Sequence, residues 1–485
     1  MRKETDISRY TFSYSERRWV LILLDFLGIN GGFVFSLYFR PDYFLSWQLI
    51  INHPEWFVLL NVLWFLLGSI FQVYDLNKAG YLESAFQNVA GAGLATMLIF
   101  NFIPYLPPYL PPSRAPLFVT LLVPLILILL GRSLYLVVFS GPAFRRRVLI
   151  LGAGWAGQTV FQALQEHGRA VYQVVGFVDD DPSKQDQPVI SPSSLESNGE
   201  VSGEAEQLPA VMGTSRQLLE IVDREDISTL VLAITSDVSG ELYQVLTRCL
   251  QRELEILPMP VLYEQLTGKV PVQHIGDHWS VAMPLDHPGT RLLWHAVKRT
   301  FDLFWAVLGL VFLAVLFPFL ALAIYIDSPG PIFYRQKRMG RNEKVFWVYK
   351  FRSMIPGAEQ GEAVWAEEED PRVTRVGRLL RRTHLDEFPQ FLNILKGEMS
   401  VVGPRPERPE FIEELAEQIP FYRVRLAVKP GMAGWGLIHQ GYGASVEDAL
   451  DKLQYDLYYI KHQSLGLDLY ILFRTFWDTL SLGGR

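Results

Sequence analysis

The sequence predicts three parts: a helical bundle in the membrane, an α/β domain of the dinucleotide-binding type, and a C-terminal α/β domain with its own apolar helix. Long apolar runs fill the first 144 residues, a glycine-rich turn follows an apolar strand near residue 150, and another apolar run precedes the strands beyond residue 330. The 485 residues suffice for two or three domains, and a hydrophobic content of 49% is high for a soluble protein. These observations indicate a membrane protein.

Residues 1–144 are predicted to form a four-helix transmembrane bundle. Its apolar runs cover residues 19–39, 56–74, 85–103 and 117–139, and each is about long enough to span a bilayer. Basic residues cluster before the first run and after the fourth, which places both ends of the bundle in the cytoplasm. These residues are Arg2, Lys3, Arg9, Arg17, Arg18, Arg145, Arg146 and Arg147.

The composition limits the partners and the compartment. The net charge is -7, and the basic residues concentrate near the apolar runs and in the C-terminal part. We expect membrane lipids and no nucleic acid among the partners. The single cysteine, Cys249, rules out an intrachain disulfide or a zinc site built of cysteines, which fits a reducing cytoplasm.

Residues 145–265 are predicted to form a Rossmann-like domain. The segment RVLILGAGWAG reads as a strand entering a glycine turn, and an acidic residue follows the second strand. A linker rich in Ser, Glu, Gln and Pro, predicted to be disordered, covers residues 182–208. The bulky Trp155 lies where the backbone would approach a pyrophosphate, so a structural domain with an empty pocket stays open beside a cofactor site. The candidate nucleotide-binding residues are Gly152, Gly154, Gly157 and Asp179.

After a connector at residues 266–293, residues 294–485 form the last predicted domain. It opens with an apolar run over residues 300–326 that is long enough to span the membrane. Positive charge lies on both sides of this run, which fits a segment that begins and ends in the cytoplasm. Pro318 removes one backbone hydrogen bond near its middle and supplies a break where the helix can turn back. The alternative is a fifth transmembrane helix with a mild kink.

Two adjacent carboxylates, Asp386 and Glu387, stand ahead of a short amphipathic helix in the stretch RRTHLDEFPQFLNILKGEMSVVGPRPE. Pro389 suits the first turn of that helix, so the pair is predicted at a helix N-terminus, where an ionised carboxylate and phosphate oxygens are both favoured. An isolated pair of this kind is usually only a helix cap. Here arginines surround it, among them Arg381 and Arg405.

These motifs resemble the catalytic domain of the bacterial sugar transferases. The stretches that carry the likeness are DSPGPIFYRQKRMGRNEKVFWVYKFRSM, the carboxylate stretch above, and KPGMAGWG after residue 428. Members are monotopic polyprenyl-phosphate phosphoglycosyl transferases that start exopolysaccharide and O-antigen repeat units, and the whole chain is similar to their long form. The resemblance implies a monotopic α/β catalytic domain with a re-entrant membrane helix, held in the bacterial inner membrane with the active site facing the cytoplasm.

The resemblance also implies the chemistry. A carboxylate is a competent nucleophile toward phosphorus, and Asp386 matches the nucleophile of the family. It would take hexose-1-phosphate from a UDP-hexose, glucose or galactose, release UMP and pass the group to undecaprenyl phosphate. Glu387 and Asp386 would hold Mg²⁺ with the diphosphate, and Lys350, Arg381 and Arg405 would bind phosphate. Whether the protein forms a homodimer is left open by the sequence.

Two rival functions make different predictions. A nucleotide-sugar dehydratase or epimerase should have a Tyr-x-x-x-Lys pair after its glycine loop, whereas the spacing found here, Tyr74 with Lys78, precedes the loop. A non-enzymatic membrane scaffold that senses nucleotide sugars predicts no UMP release. The segment His439 to Tyr442 departs from the family pattern, which leaves contacts to the substrate there open.

Overall fold

The structure, a computed structural model, describes residues 14–39, 46–76, 82–102, 114–139, 141, 144–184, 209–234, 240–252, 254–272, 291–358, 370–440 and 445–480. The chain divides into two compact units, Met1–Thr267 and Gly268–Arg485. Val270 and Val272 are buried in the core of the second unit, and the Val270 N–H donates to the Gln454 carbonyl. The second unit therefore begins earlier than the predicted start at residue 294. The rest of the predicted connector, residues 273–290, lies outside the described residues.

The first unit begins with helices that match the four apolar runs, plus one short additional helix. The bundle helices are α1 (Tyr14–Tyr38), α2 (Trp47–Asn52), α3 (Pro54–Ile70), α4 (Leu82–Phe102) and α5 (Arg114–Phe139). Among the described residues, the spans Glu16–Tyr38 and Leu122–Phe139 in this bundle are long and apolar enough to cross a membrane. Helix α3 has 17 residues and α4 has 21, and a membrane crossing by these two helices stays a prediction. Helix α3 ends early, where the chain turns through a left-handed Gln72, and α4 carries polar residues such as Asn88 and Asn101.

Small and polar residues hold the bundle together. A side chain at Gly32 would collide with the Pro124 backbone, so this glycine lets α1 and α5 approach closely. Arg132 of α5 donates to the Asp25 carboxylate of α1 at 2.6 Å, with both side chains buried. Nearby, the Trp64 indole donates to the Tyr74 hydroxyl at 2.9 Å. The two ionisable residues of the membrane runs thus pair with each other inside the bundle.

The α/β part of the first unit contains a four-stranded parallel sheet in the order β2 (Tyr172–Val178), β1 (Arg146–Leu151), β3 (Thr229–Leu232) and β4 (Glu255–Pro258). This arrangement confirms the parallel sheet predicted from the alternation of strands and helices. Of the predicted linker, Pro182–Lys184 forms a 3-10 turn and residues 185–208 lie outside the described part. The elements are β1 (Arg146–Leu151), α6 (Trp155–Ala163), β2 (Tyr172–Val178), α7 (Leu218–Arg224), β3 (Thr229–Leu232), α8 (Gly240–Gln251), β4 (Glu255–Pro258) and α9 (Met259–Thr267).

The second unit combines one long helix, two small sheets and short helices. Strands β5 (Phe333–Met339) and β6 (Val345–Phe351) form an antiparallel hairpin in which Phe333 pairs with Phe351. Strand β7 (Ser400–Val402) pairs in parallel with β8 (Gly431–Ala433). Its elements are α10 (Arg291–Asp327), β5 (Phe333–Met339), β6 (Val345–Phe351), α11 (Arg375–Arg382), α12 (Phe391–Lys396), β7 (Ser400–Val402), α13 (Pro409–Gln418), β8 (Gly431–Ala433), α14 (Trp435–His439), α15 (Val446–Lys461) and α16 (Leu465–Leu480).

Helix α10 includes the predicted re-entrant segment 300–326 and continues through Pro318 without interruption. The proline therefore does not end the helix, and a bend there stays a prediction. One side of α10 packs on the rest of the second unit, where Phe317 stacks on Phe333 and Phe351. The opposite side exposes large apolar residues, including Val311, Val315, Phe319 and Leu322.

Both ends of α10 form hydrogen bonds with other elements of the second unit. Near the start of the helix, Lys298 donates to the Asp468 carboxylate at 2.6 Å and to the Val402 carbonyl at 3.1 Å. At its end, the Asp327 carboxylate accepts from the Val376 N–H at 2.8 Å. The helix has 37 residues, so its length is about 55 Å at 1.5 Å per residue.

Candidate active site

Asp386 and Glu387 lie in the first turn of a short 3-10 helix, Leu385–Gln390, which leads directly into α12. The prediction of a helix N-terminus is thus correct in position, although the first turns are 3-10 rather than α-helical. The chain enters this turn through His384, whose φ of 53° is left-handed. Both carboxylates are buried. Burial of two adjacent acids requires compensating charge, and the surrounding elements supply it.

Glu387 is the member of the pair whose negative charge is compensated by neighbouring cations. Its Oε1 atom accepts from Lys350 Nζ at 2.7 Å and from Arg405 Nη2 at 2.8 Å, while its Oε2 atom lies 3.5 Å from Arg405 Nη1. Burial alone would favour the neutral acid, but the two cations outweigh it and lower the pKa of Glu387 well below its usual range. Glu387 is therefore ionised in the folded protein.

Asp386 has different surroundings. Within the part of the chain that the structure describes, no hydrogen-bond donor reaches its carboxylate, and the exposed fraction of the residue is 8%. Burial and the neighbouring charge of Glu387 raise the pKa of Asp386 to about 6, against the attraction of Lys350, Arg381 and Arg405. The result is a carboxylate that ionises near neutral pH and keeps its oxygens free for another partner.

An asparagine sets the distance between Lys350 and the acidic pair. Asn393, fully buried on α12, accepts from the Tyr349 N–H at 3.2 Å and donates to the Trp347 carbonyl at 2.7 Å. These bonds attach α12 to the edge of β6. Because side chains alternate along a strand, Lys350 then points inward with Val348 and reaches Glu387. The sequence motif identified Lys350 but gave no sign of Asn393.

Arg405 is held through its backbone by two further arginines. Arg425, buried in a pair with Asp456, donates from Nη2 to the Arg405 carbonyl at 3.1 Å. Arg338 donates from Nη1 to the next carbonyl, that of Pro406, also at 3.1 Å. The sequence analysis assigned a role to neither of these supporting arginines.

Arg381 lies close enough to Asp386 for its charge to favour the ionised carboxylate. It extends from α11, and its Nε atom donates to the Ser353 hydroxyl at 3.0 Å. One turn earlier, Gly377 lies so close to the Ser353 carbonyl that an added Cβ would be 2.0 Å from it. This contact fixes α11 against the segment after β6, and residues four apart share a helix face. The structure therefore brings Lys350, Arg381 and Arg405 together around the carboxylate pair.

A magnesium site would draw on few protein ligands here. Among the described residues there is no group of three or more His, Cys, Asp or Glu side chains that could hold a metal ion. Mg²⁺ is often bound by one or two carboxylates together with substrate phosphates and water. Asp386 fits that pattern because its oxygens are free, whereas Glu387 would have to exchange one of its cationic partners.

The glycine turn of the first unit has the close contacts of a strand-turn-helix. Gly152 has a φ of 107°, and a Cβ at Gly157 would be 2.0 Å from the Gly152 carbonyl oxygen. Gly154 precedes α6, whose first residue Trp155 is half exposed. The Asp179 carboxylate accepts from the Ala153 N–H at 2.8 Å and from Lys184 at 3.1 Å. The Asp179 side chain, a candidate nucleotide-binding group, thus bonds the turn itself.

The C-terminal unit combines a long apolar helix with a charge-compensated pair of buried acids, an arrangement suited to phosphoryl transfer at a membrane. Residues 293–481 match the family described as bacterial sugar transferase. The chain is 40% identical over 201 residues to the exopolysaccharide production protein PSS of Rhizobium leguminosarum bv. phaseoli, an alignment that covers 39% of this chain and 96% of the relative. The chain belongs to the bacterial sugar transferase family.

Two other relatives carry names that state an activity. The UDP-N-acetylgalactosamine-undecaprenyl-phosphate N-acetylgalactosaminephosphotransferase of Aeromonas hydrophila is 38% identical over 239 residues, which are 49% of this chain and 55% of the relative. The UDP-glucose:undecaprenyl-phosphate glucose-1-phosphate transferase of Escherichia coli (strain K12) is 41% identical over 181 residues, which are 37% of this chain and 39% of the relative. The chain thus spans about half the Aeromonas protein and less of the Escherichia one. The predicted family is confirmed.

Proposed function

We propose that the protein transfers hexose-1-phosphate from a UDP-hexose, glucose or galactose, to undecaprenyl phosphate and releases UMP. The product would start a repeat unit of an exopolysaccharide or O-antigen. The observation that carries the proposal is the asymmetry of the buried pair: Glu387 is bound by Lys350 and Arg405, while the Asp386 oxygens have no donor in the described structure. The names of the relatives support undecaprenyl phosphate as the acceptor.

In the proposed first step, an Asp386 oxygen attacks the β-phosphorus of the UDP-hexose. A bond forms between that oxygen and phosphorus, the bond from phosphorus to the bridging oxygen breaks, and UMP leaves with the electron pair. In the second step a phosphate oxygen of undecaprenyl phosphate attacks the same phosphorus and displaces Asp386. The acyl phosphate divides one difficult transfer into two easier ones.

The cations around the pair have separate roles in this scheme. Lys350 and Arg405 keep Glu387 ionised and fixed, and their positive charges would stabilise the charge that develops on the phosphoryl oxygens. Arg381, held by Ser353, lies close enough to Asp386 to favour its anion. Preorganised charge of this kind is the main contribution that a protein makes to phosphoryl transfer.

Magnesium belongs to the proposal. Asp386 and Glu387, with oxygens of the diphosphate, are the residues that would hold it, and Asp386 is the freer of the two. When bound, the ion supplies charge neutralisation for the diphosphate and for the departing UMP.

We also propose that α10 enters the membrane and returns to the same side, with a bend at Pro318. Two observations support this topology: both ends of the helix are bonded to one unit, and its outer side is apolar along most of its length. Lys350 neighbours Phe351, which stacks against Phe317 of α10. The candidate site would then lie at the level of the lipid headgroups on the cytoplasmic side of the inner membrane.

The direct test is UMP release by the purified full chain in lipid nanodiscs, measured over a panel of UDP-sugars that includes UDP-glucose, UDP-galactose and UDP-N-acetylgalactosamine. We expect turnover with one donor that requires both undecaprenyl phosphate and Mg²⁺. Without the lipid acceptor, a burst of UMP stoichiometric with enzyme should remain, because the first step needs no acceptor. Turnover that proceeds without any such burst would favour direct transfer between the two substrates and contradict the covalent scheme.

A further inference from the structure

The outer face of the β5–β6 hairpin carries a cluster of cations and aromatic rings that the proposed chemistry does not use. Arg335 lies 4.9 Å and Lys337 5.6 Å from the Trp347 ring centroid, and Lys396 lies 4.6 Å from the Tyr349 ring. We call these five residues the hairpin face. Strand alternation directs them away from the candidate site, because the inward positions of β6 are Phe346, Val348 and Lys350.

In the described part of the chain, the cations of the hairpin face have no acidic partners. Among the described residues, Arg335, Lys337 and Lys396 make no ion pair with a carboxylate, unlike the cations of the candidate site. Trp347 remains 41% exposed beside them. A tryptophan, a tyrosine and several cations on one surface are the composition found where proteins meet lipid headgroups.

The hairpin face is also continuous with the apolar surface of α10. Phe333, the first residue of β5, is exposed and stacks on Phe317 of α10 at 5.7 Å, and Arg335 follows about 7 Å further along the strand. On the other flank, α12 exposes Leu392 and Leu395 just before Lys396. Apolar residues thus border the cations on the side toward α10.

We propose that the hairpin face binds the headgroups of anionic phospholipids, with Arg335 and Lys337 contacting phosphates and Trp347 lying at the interface. This inference rests on the proposed membrane topology of α10. Each cation close to an anionic bilayer strengthens surface binding about fivefold, so the two strand cations bias the hairpin toward anionic lipid. The contact would hold β6, and with it Lys350, at a constant depth relative to the bilayer.

The test uses the full chain in nanodiscs, with Cys249→Ser and a bimane label at Val345→Cys, an exposed position on the same side of β6 as Trp347. A matched label at Glu413→Cys, exposed on α13, serves as the control. Discs contain phosphatidylcholine alone or with phosphatidylglycerol, plus a lipid carrying a nitroxide on its headgroup. We expect at least twice the quenching at position 345 as at position 413, and a further increase when phosphatidylglycerol is present.

Charge variants make the test specific. Arg335→Gln with Lys337→Gln should remove the increase caused by phosphatidylglycerol, while Arg216→Gln with Arg248→Gln, which removes the same charge from exposed positions of the first unit, should keep it. Equal quenching at positions 345 and 413, quenching independent of lipid charge, or equal loss in both variants would overturn the proposal.

UMP release measured on the same discs separates this inference from the proposed function. The quenching pattern without turnover would contradict the enzyme assignment and leave the lipid contact standing. Turnover without the pattern would overturn the lipid contact alone.

Discussion

Asp386 and Glu387 are neighbours in the chain with opposite electrostatic surroundings. Glu387 is bound by two cations and stays ionised, while Asp386 is buried without a donor in the described structure and its pKa rises to about 6. A nucleophile needs free lone pairs, and a fixed charge beside it needs partners. The pair is therefore suited to divide these roles, with Asp386 as the nucleophile that the family resemblance implies.

The raised pKa of Asp386 gives a pH prediction. Because the nucleophile must be ionised, kcat/KM should fall about tenfold per pH unit below the pKa of Asp386 in the free enzyme. Glu387→Gln removes the negative charge that raises this pKa and frees Lys350 and Arg405, so the midpoint should move to lower pH even though activity drops. The measurement is the kcat/KM profile of both forms between pH 4.5 and 8. A midpoint that stays fixed or rises in Glu387→Gln would contradict the assignment.

Arg425 offers a test of positioning. Its guanidinium bonds the Arg405 carbonyl, Asp456 and the Tyr422 hydroxyl together, and a lysine cannot make all three bonds. We expect Arg425→Lys to lower kcat about tenfold with little change in KM, because a small displacement of Arg405 affects the transition state more than substrate binding. Arg423→Lys, at an exposed arginine paired with Glu343, is the matched control. Loss of stability in Arg425→Lys with unchanged kcat would show a merely structural role.

The sequence predicted the cations whose side chains face the pair, and it missed those that act through the backbone. Lys350, Arg381 and Arg405 each stand in a recognisable motif. Arg338 and Arg425 bond carbonyl oxygens, and any residue can present a carbonyl, so no side-chain pattern marks these contacts.

At the scale of elements, α10 shows how the same residues can fit two topologies. Its length and composition allow a crossing, yet Lys298 and Asp327 bond its two ends to one unit. Length and hydropathy come from the local sequence, whereas these bonds depend on partners far along the chain. The local sequence pattern therefore predicted the helix, whereas its membrane topology could be inferred only from the flanking charges.

Thiol labelling tests the topology of α10. In a Cys249→Ser background, single cysteines at Thr290 and Lys344, on either side of the helix, should both be protected from an impermeant thiol reagent added outside intact cells. Lys344 is exposed and has an ordinary backbone conformation, unlike the left-handed Asn342 and Glu343. Pro318→Leu should leave both sites protected, since the bonds at the two ends remain. Labelling of just one site in the unmodified helix would show that it crosses the membrane.

At the scale of the whole molecule, all the residues of the candidate site lie in the second unit. The boundary at residue 268 depends on long-range packing, in which Val270 and Val272 join a core with α15 and Lys269 bonds Asp451 at 2.5 Å. The sequence near residue 270 has no motif, so the sequence pattern gave no sign of this packing.

This boundary predicts a difference between two truncations. A chain beginning at Gly268 should fold and retain UMP release, because it keeps the whole compact unit. A chain beginning at Arg291 loses two buried valines, so its free energy of unfolding should be lower by about 2–4 kcal/mol. It should therefore unfold at a lower temperature. Thermal unfolding and UMP release of both, in the same detergent, check the prediction. Inactivity of a well-folded Gly268 form would show that the first unit takes part in the chemistry.

The most direct test of the central claim is intact-protein mass spectrometry of the full chain after brief exposure to the donor that supports UMP release, without lipid acceptor. We predict an added mass of one phosphohexose, located on the peptide that contains Asp386, and its disappearance when undecaprenyl phosphate is supplied. Asp386→Asn should show no adduct and lose activity about a thousandfold or more, while Glu387→Gln should slow adduct formation without moving its position. An adduct on another residue, or near-normal turnover in Asp386→Asn, would contradict the account.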